Sequence, residues 1–283
     1  MKIDLITPSY APDYDRCRAL CESMETYVSG IERHLLIVDY QDLKLFKRLE
    51  SQRCSVIAKE DILPPWLHTL PWSRRWWMST RTIPLRGWIL QQIVKLSAAE
   101  WSEADVFMFG DSDAFFIRPF DAASTLLKGN VRLYRGKKKP ADYHDRRHNN
   151  WDQVAASLFS LQVSRHRDFD YISQMNTWRR DVLIQLLERI EQRTGKPWKQ
   201  ALCNTWDFSE YVLYGVFADH VLGVEHCGHY IDQNEVCNCS WHHDIENEVT
   251  VKNFITCTPE NQPAVLVQSN LGIRPQDYTA TVA

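Results

Sequence analysis

Val106-Phe107-Met108-Phe109-Gly110-Asp111-Ser112-Asp113-Ala114-Phe115-Phe116-Ile117-Arg118-Pro119-Phe120 sets apolar runs on both sides of two aspartates. A short, continuous apolar run fits a strand buried on both faces. A strand over Asp105 to Phe109 therefore runs straight into Gly110-Asp111-Ser112-Asp113, and the acids fall at its carboxyl end. Just upstream, Gly87 to about Trp101 reads as a helix, with Ile89, Ile93 and Leu96 on one face. Before it lies an irregular stretch, Asp61 to Arg86, with four prolines, four tryptophans and the basic residues Arg74, Arg75, Arg81 and Arg86. Loops of that length inside a compact domain are usually functional.

Farther out, strand and helix alternate. Lys2 to Thr7, His34 to Val38 and Cys54 to Ala58 read as strands. Tyr14 to about Val28, capped by Asp13, reads as a helix, because Cys17, Leu20, Cys21, Met24 and Val28 recur at helical spacing. Asp42 to Leu49 reads as another. This alternation predicts an α/β fold, a mostly parallel sheet flanked by helices. Ligands of such sheets bind at the carboxyl ends of strands. Thr7, Asp39 and Asp111 all lie at such ends and are expected to share one cleft.

The second half is less regular and more helical. Val131 to Tyr134 and Ala264 to Val267 read as strands; Arg180 to Gln192 and Ser209 to about Val221 read as amphipathic helices. No internal repeat or low-complexity linker divides the chain. One composite domain over 1–283 is expected, with a binding half (1–120) and a second half (121–283).

The 283 residues are 44% hydrophobic, enough for a sizeable core. A formal net charge of -3 calls for neither nucleic acid nor an anionic membrane. Its apolar runs are too short to span a bilayer. Met1-Lys2-Ile3-Asp4 carries an acid where a signal peptide has its apolar run, so a cytoplasmic protein beginning at Met1 is expected. Of eight cysteines, Cys17, Cys21 and Cys54 read as reduced, buried small hydrophobes. The 11 tryptophans include Trp66, Trp72, Trp76 and Trp77 close together, either as packing or as platforms for the apolar face of a sugar ring.

Two carboxylates at i and i+2 after a buried strand make a hard-cation site for Mg²⁺ or Mn²⁺, with positions left for phosphate oxygens. A cation there neutralises charge on a departing diphosphate. Phe107 to Phe120 resembles the Asp-x-Asp region of GT-A glycosyltransferases, and Ile3-Asp4-Leu5-Ile6-Thr7-Pro8-Ser9-Tyr10 resembles their first strand and nucleotide-binding loop. Residues 87–96, 178–181 and 208–215 are similar to a family of bacterial GT-A-like proteins. The resemblance implies a metal-dependent transferase moving a sugar from a nucleotide-sugar, a UDP-sugar first, to a hydroxyl acceptor such as a carbohydrate. It implies Asp111 and Asp113 as metal ligands, with Asp111 and Ser112 also at the donor. Thr7, Pro8 and Ser9 would line the base and ribose pocket, with Asp39 as a base contact. Gln92 and Lys95 would face the donor or else form a solvated helix face. Many such enzymes add a histidine ligand from a late segment; here that segment is Gln268-Ser269-Asn270, leaving His242, His243 or water for the role.

An inverting transferase needs a general base. Asp207 and Glu210 are the candidates, with helix capping as their structural alternative. The basic Lys137 to Arg147 segment reads as a loop that closes on the diphosphate, holds an anionic acceptor or is simply solvated. His226, Cys227, His229, Cys237, Cys239, His242 and His243 are dense enough to hold zinc but lack a paired C-x-x-C spacing. Other readings are a non-catalytic scaffold of the same fold, a haloacid-dehalogenase-type phosphatase with Asp111 as nucleophile, and a sugar nucleotidyltransferase. The phosphatase lacks its later Gly-Asp-x-x-x-Asp, and the nucleotidyltransferase its Gly-rich loop.

Overall fold

The computed structural model describes residues 1–70, 73–242 and 245–279. Trp72 and His243 lie outside the described residues, as do the side chains of Arg74, Arg75 and His242. Five strands form the central sheet: β1 (Ile3–Pro8), β2 (Arg33–Val38), β3 (Cys54–Ala58), β4 (Val106–Phe109) and β5 (Asn176–Arg179). Their order is β5-β4-β1-β2-β3; β1 to β4 run parallel and β5 antiparallel. The expected mixed α/β architecture with a mostly parallel sheet is therefore present.

Side chains alternate across a strand, so each one supplies two cores. Ile6, Leu35, Ile37, Phe107 and Phe109 face a large core that holds α2 (Gly87–Leu96), α4 (Arg180–Thr194) and α5 (Glu210–Val216). Ile3, Leu5, Val106 and Met108 pack on the other face against Leu20 and Met24 of α1 (Tyr14–Tyr27). Both faces are covered, which is why β4 reads as an unbroken apolar run. β5 comes from the second half of the chain, so the sheet and its core extend across residue 120. Among the described residues no helix is long and apolar enough to cross a membrane.

Several local expectations need correction. Residues 61–86 are not irregular: Leu67–Leu70, Ser73–Ser79 and Leu85–Arg86 form an antiparallel sheet. Pro64, Pro65 and Pro84 precede its strands rather than interrupt them. Residues 42–49 form a short α-turn between two 3₁₀ turns. Asp13 sits at the N-cap of α1, but its side chain makes no capping bond; it lies 3.7 Å from Arg16 instead. The segment 137–147 is not one open loop. Lys138 is buried 2.5 Å from Asp152, and from Arg146 the chain enters α3 (Arg146–Phe159). The helix from Gly87 breaks at Ser97, whose hydroxyl donates to the Ile93 carbonyl at 2.8 Å.

β5 is locked by Trp178, whose ring stacks on Tyr214 at 4.5 Å and meets Phe109 at 4.4 Å. Trp178→Ala is expected to cost about 3–5 kcal/mol, measured by urea denaturation.

Candidate functional site

β1 has β4 on one side and β2 on the other, so the chain leaves the sheet in opposite directions at its carboxyl edge. A crevice opens at such a switch point. Here it is a cavity of about 630 Å³ that gathers Pro8 and Ser9 at the end of β1, Asp39 after β2, and Asp111, Ser112 and Asp113 after β4. Trp76, Trp88 and Arg86 also line it. Six of the expected site residues thus share one cleft. Thr7 does not: its side chain is fully buried, with Oγ1 3.0 Å from His34 Nε2.

A second cavity of about 440 Å³ adjoins the first and shares Trp88, Gln91 and Asp111 with it. Gln92, Lys95, Arg147, Trp151, Glu210 and Tyr211 also line it. Gln92 and Lys95 are buried rather than on a solvated face, and each has a fixed task. Gln92 accepts the backbone N–H of Glu210 at 2.9 Å, which ties α2 to α5. Lys95 Nζ lies 3.1 Å from Asp111 Oδ1, 3.1 Å from Glu210 Oε1 and 3.0 Å from the Tyr211 hydroxyl. Burial opposes its charge, but Asp111, Tyr211 and Glu210 outweigh that and hold its pKa well above the ordinary lysine value.

Asp111 is gripped a second time by Gln174. Gln174 Nε2 donates to Asp111 Oδ2 at 2.6 Å, and Gln174 Oε1 accepts the Asp111 N–H at 2.9 Å. Asp113 is held from the late strand Ala264–Leu266, which pairs with Ala114–Phe116 and brings the Ser269 N–H to Asp113 Oδ2 at 3.2 Å. Burial, then Asp111, then Asp13 push the Asp113 carboxyl up to about 7, against the Ser269 N–H that lowers it. Asp13 is raised as well, by burial and by Asp111, although Arg16 opposes this. The cleft thus concentrates negative charge on hard oxygen donors, the environment a divalent cation relieves. Among the described residues no third Asp, Glu, His or Cys ligand atom joins Asp111 and Asp113 within 4.8 Å.

The two base candidates separate. Glu210 lines the second cavity, paired with Lys95. Asp207 is in the lining of neither cavity; its Oδ1 accepts the Trp151 indole N–H at 3.0 Å, a structural tie. Asp39 pairs with Lys59 at 2.9 Å at the cleft wall. Ser9 Oγ is buried with no hydrogen-bond partner among the described residues.

Sequence reasoning missed Gln174, Asp13, Trp88, Arg147 and Trp151 as lining or supporting residues. The Arg147 guanidinium lies 4.6 Å from the Trp88 ring, which stacks on Trp151 at 5.7 Å. Two of these left a signal: Trp88 inside the 87–96 block, and Arg147 at the end of the basic 137–147 segment. In the dense histidine and cysteine segment, His229 is bound to Tyr214 and to the Val131 carbonyl. The Cys227 thiol donates to backbone carbonyls. Among the described residues there, no three ligand atoms lie within 4.8 Å of one another.

The chain belongs to DUF6492, a family of unknown function, which it matches over residues 1–283. No curated protein matches it.

Asp113 has a folded pKa above its unfolded value, so its contribution to the ligand-free chain falls as pH rises through about 4 to 7. Asp113→Asn removes that loss. Its gain in melting temperature over the parent chain is expected to be larger at about pH 8 than at about pH 5. Lys95→Met leaves two carboxylates without their cation and is expected to cost about 3–5 kcal/mol in chemical denaturation.

Proposed function

We propose that this chain is a metal-dependent glycosyltransferase of the GT-A type, with the nucleotide-sugar in the larger cavity and the hydroxyl acceptor in the smaller. The observation that carries this reading is that the two cavities meet at Asp111, beside Asp113. A two-substrate transfer needs such a junction, because the sugar carbon and the acceptor oxygen must approach to about 3–3.5 Å.

Asp111 and Asp113 are the residues that would hold Mn²⁺ or Mg²⁺; when bound, the ion supplies Lewis-acid neutralisation of the departing diphosphate. The rest of the work falls to the chain itself. Gln174 and Lys95 fix the Asp111 carboxylate from two directions, and Ser269 fixes Asp113. The Ser9 hydroxyl and Asp39 supply polar contacts for ribose and base. Trp88 and Trp151 form an aromatic wall that suits the apolar face of an acceptor sugar. For an inverting reaction Glu210 is the base: it lines the acceptor cavity, and its Lys95 partner holds it in place to accept the hydroxyl proton. A retaining reaction proceeds without that base.

The test is a thermal-shift screen of UDP-, GDP-, CMP- and dTDP-sugars with Mn²⁺, Mg²⁺ or EDTA. One nucleotide is expected to stabilise the chain only with metal, by about 2.7 kcal/mol at a hundred times its dissociation constant. A folded Asp113→Asn variant is expected to lose that shift. No shift with any donor, or unchanged binding by Asp113→Asn, contradicts the reading.

A further inference from the structure

His34 is the second residue of β2 and Cys54 the first of β3, so both lie at the amino-terminal edge of the sheet, opposite the aspartate pair. Cys21 reaches them from α1. One ligand atom from each of Cys21, His34 and Cys54 lies within 4.8 Å of the others. We propose that these three side chains form a second metal site, taking Zn²⁺ through two thiolates and one imidazole.

Thiolate and imidazole together select zinc over magnesium or manganese. Bond lengths near 2.1–2.3 Å set ligand-to-ligand edges of about 3.6 Å in a tetrahedron, so closing on an ion takes shifts of about 1 Å. Cys21 Sγ is already 4.0 Å from His34 Nδ1.

His34 Nε2 lies 3.0 Å from Thr7 Oγ1. A proton on Nε2, donated to that hydroxyl, leaves Nδ1 with its lone pair toward Cys21. This is the arrangement in which a ligating histidine is fixed by an outer partner through its other nitrogen. The contact also accounts for Thr7, which the nucleotide cleft does not use.

Cys21, His34 and Cys54 line a cavity of about 270 Å³. Three protein ligands leave a fourth coordination position, and the cavity provides a route for the ion and room for a water on it. Two thiolates and a neutral imidazole cancel the charge of Zn²⁺, and binding releases the two thiol protons to solvent. The ion would clamp α1, β2 and β3 together.

The full-length chain, reduced and then equilibrated with Zn²⁺, tests this by metal analysis after dialysis. To keep the aspartate pair out of the count, the experiment is run in the Asp113→Asn background as well. One zinc per chain is expected in both. Co²⁺ in its place is expected to give thiolate-to-cobalt charge-transfer absorption, which carboxylate ligation does not produce. Cys21→Ser and Cys54→Ser are each expected to abolish that absorption, and Cys227→Ser to leave it intact. Absence of the absorption in the folded, reduced parent chain overturns the proposal whatever the variants do. So does its survival in the Cys21→Ser, Cys54→Ser double variant.

Discussion

A lysine ammonium that is 2% exposed needs anions around it, because an isolated buried charge is too costly to keep. Lys95 finds them on two elements, Asp111 after β4 and Glu210 at the start of α5, and the neighbouring Tyr211 hydroxyl accepts a further N–H from it. That requirement fixes how α2, the end of β4 and α5 meet. It also explains why Gln92, one helical turn before Lys95, is spent on the Glu210 backbone. The geometry of both cavities follows from this knot, since Asp111 belongs to each of them.

Asp111 and Asp113 sit in different electrostatic settings although one residue separates them. Asp111 has a buried cation and an amide on its oxygens. Asp113 is raised to about 7 by burial first and then by its acidic neighbours Asp111 and Asp13, against the Ser269 N–H that lowers it. A site with one compensated and one uncompensated carboxylate has charge in reserve for a cation, while the compensated member keeps its orientation.

Much of the frame was legible because burial on both faces leaves a direct mark. β1 to β4 are short and mostly apolar, and polar residues stand at or just beyond their carboxyl ends, so both the sheet and the cleft could be read from local pattern. What could not be read depends on contacts between distant segments. Gln174 is 63 residues from Asp111 and arrives on a turn where Met175 has a φ of 56°. Trp151 stacks on Trp88 from a helix whose first turn looked like part of a basic loop. Residues 67–86 form a sheet despite the prolines around them, because Pro64, Pro65 and Pro84 fall before its strands and remove no ladder hydrogen bond. Cys21, His34 and Cys54 read singly as a helix face and two strand starts; only the parallel register of β2 and β3, with His34 opposite Cys54, puts them together.

The central claim is that the aspartate pair marks a centre for sugar transfer rather than a structural turn. The most direct measurement is release of nucleoside diphosphate from a nucleotide-sugar, followed with and without Mn²⁺. Metal-dependent release that falls about a hundredfold or more in Asp111→Asn and Asp113→Asn is the predicted result. Release that ignores chelator, or that survives in both folded variants, would contradict the account.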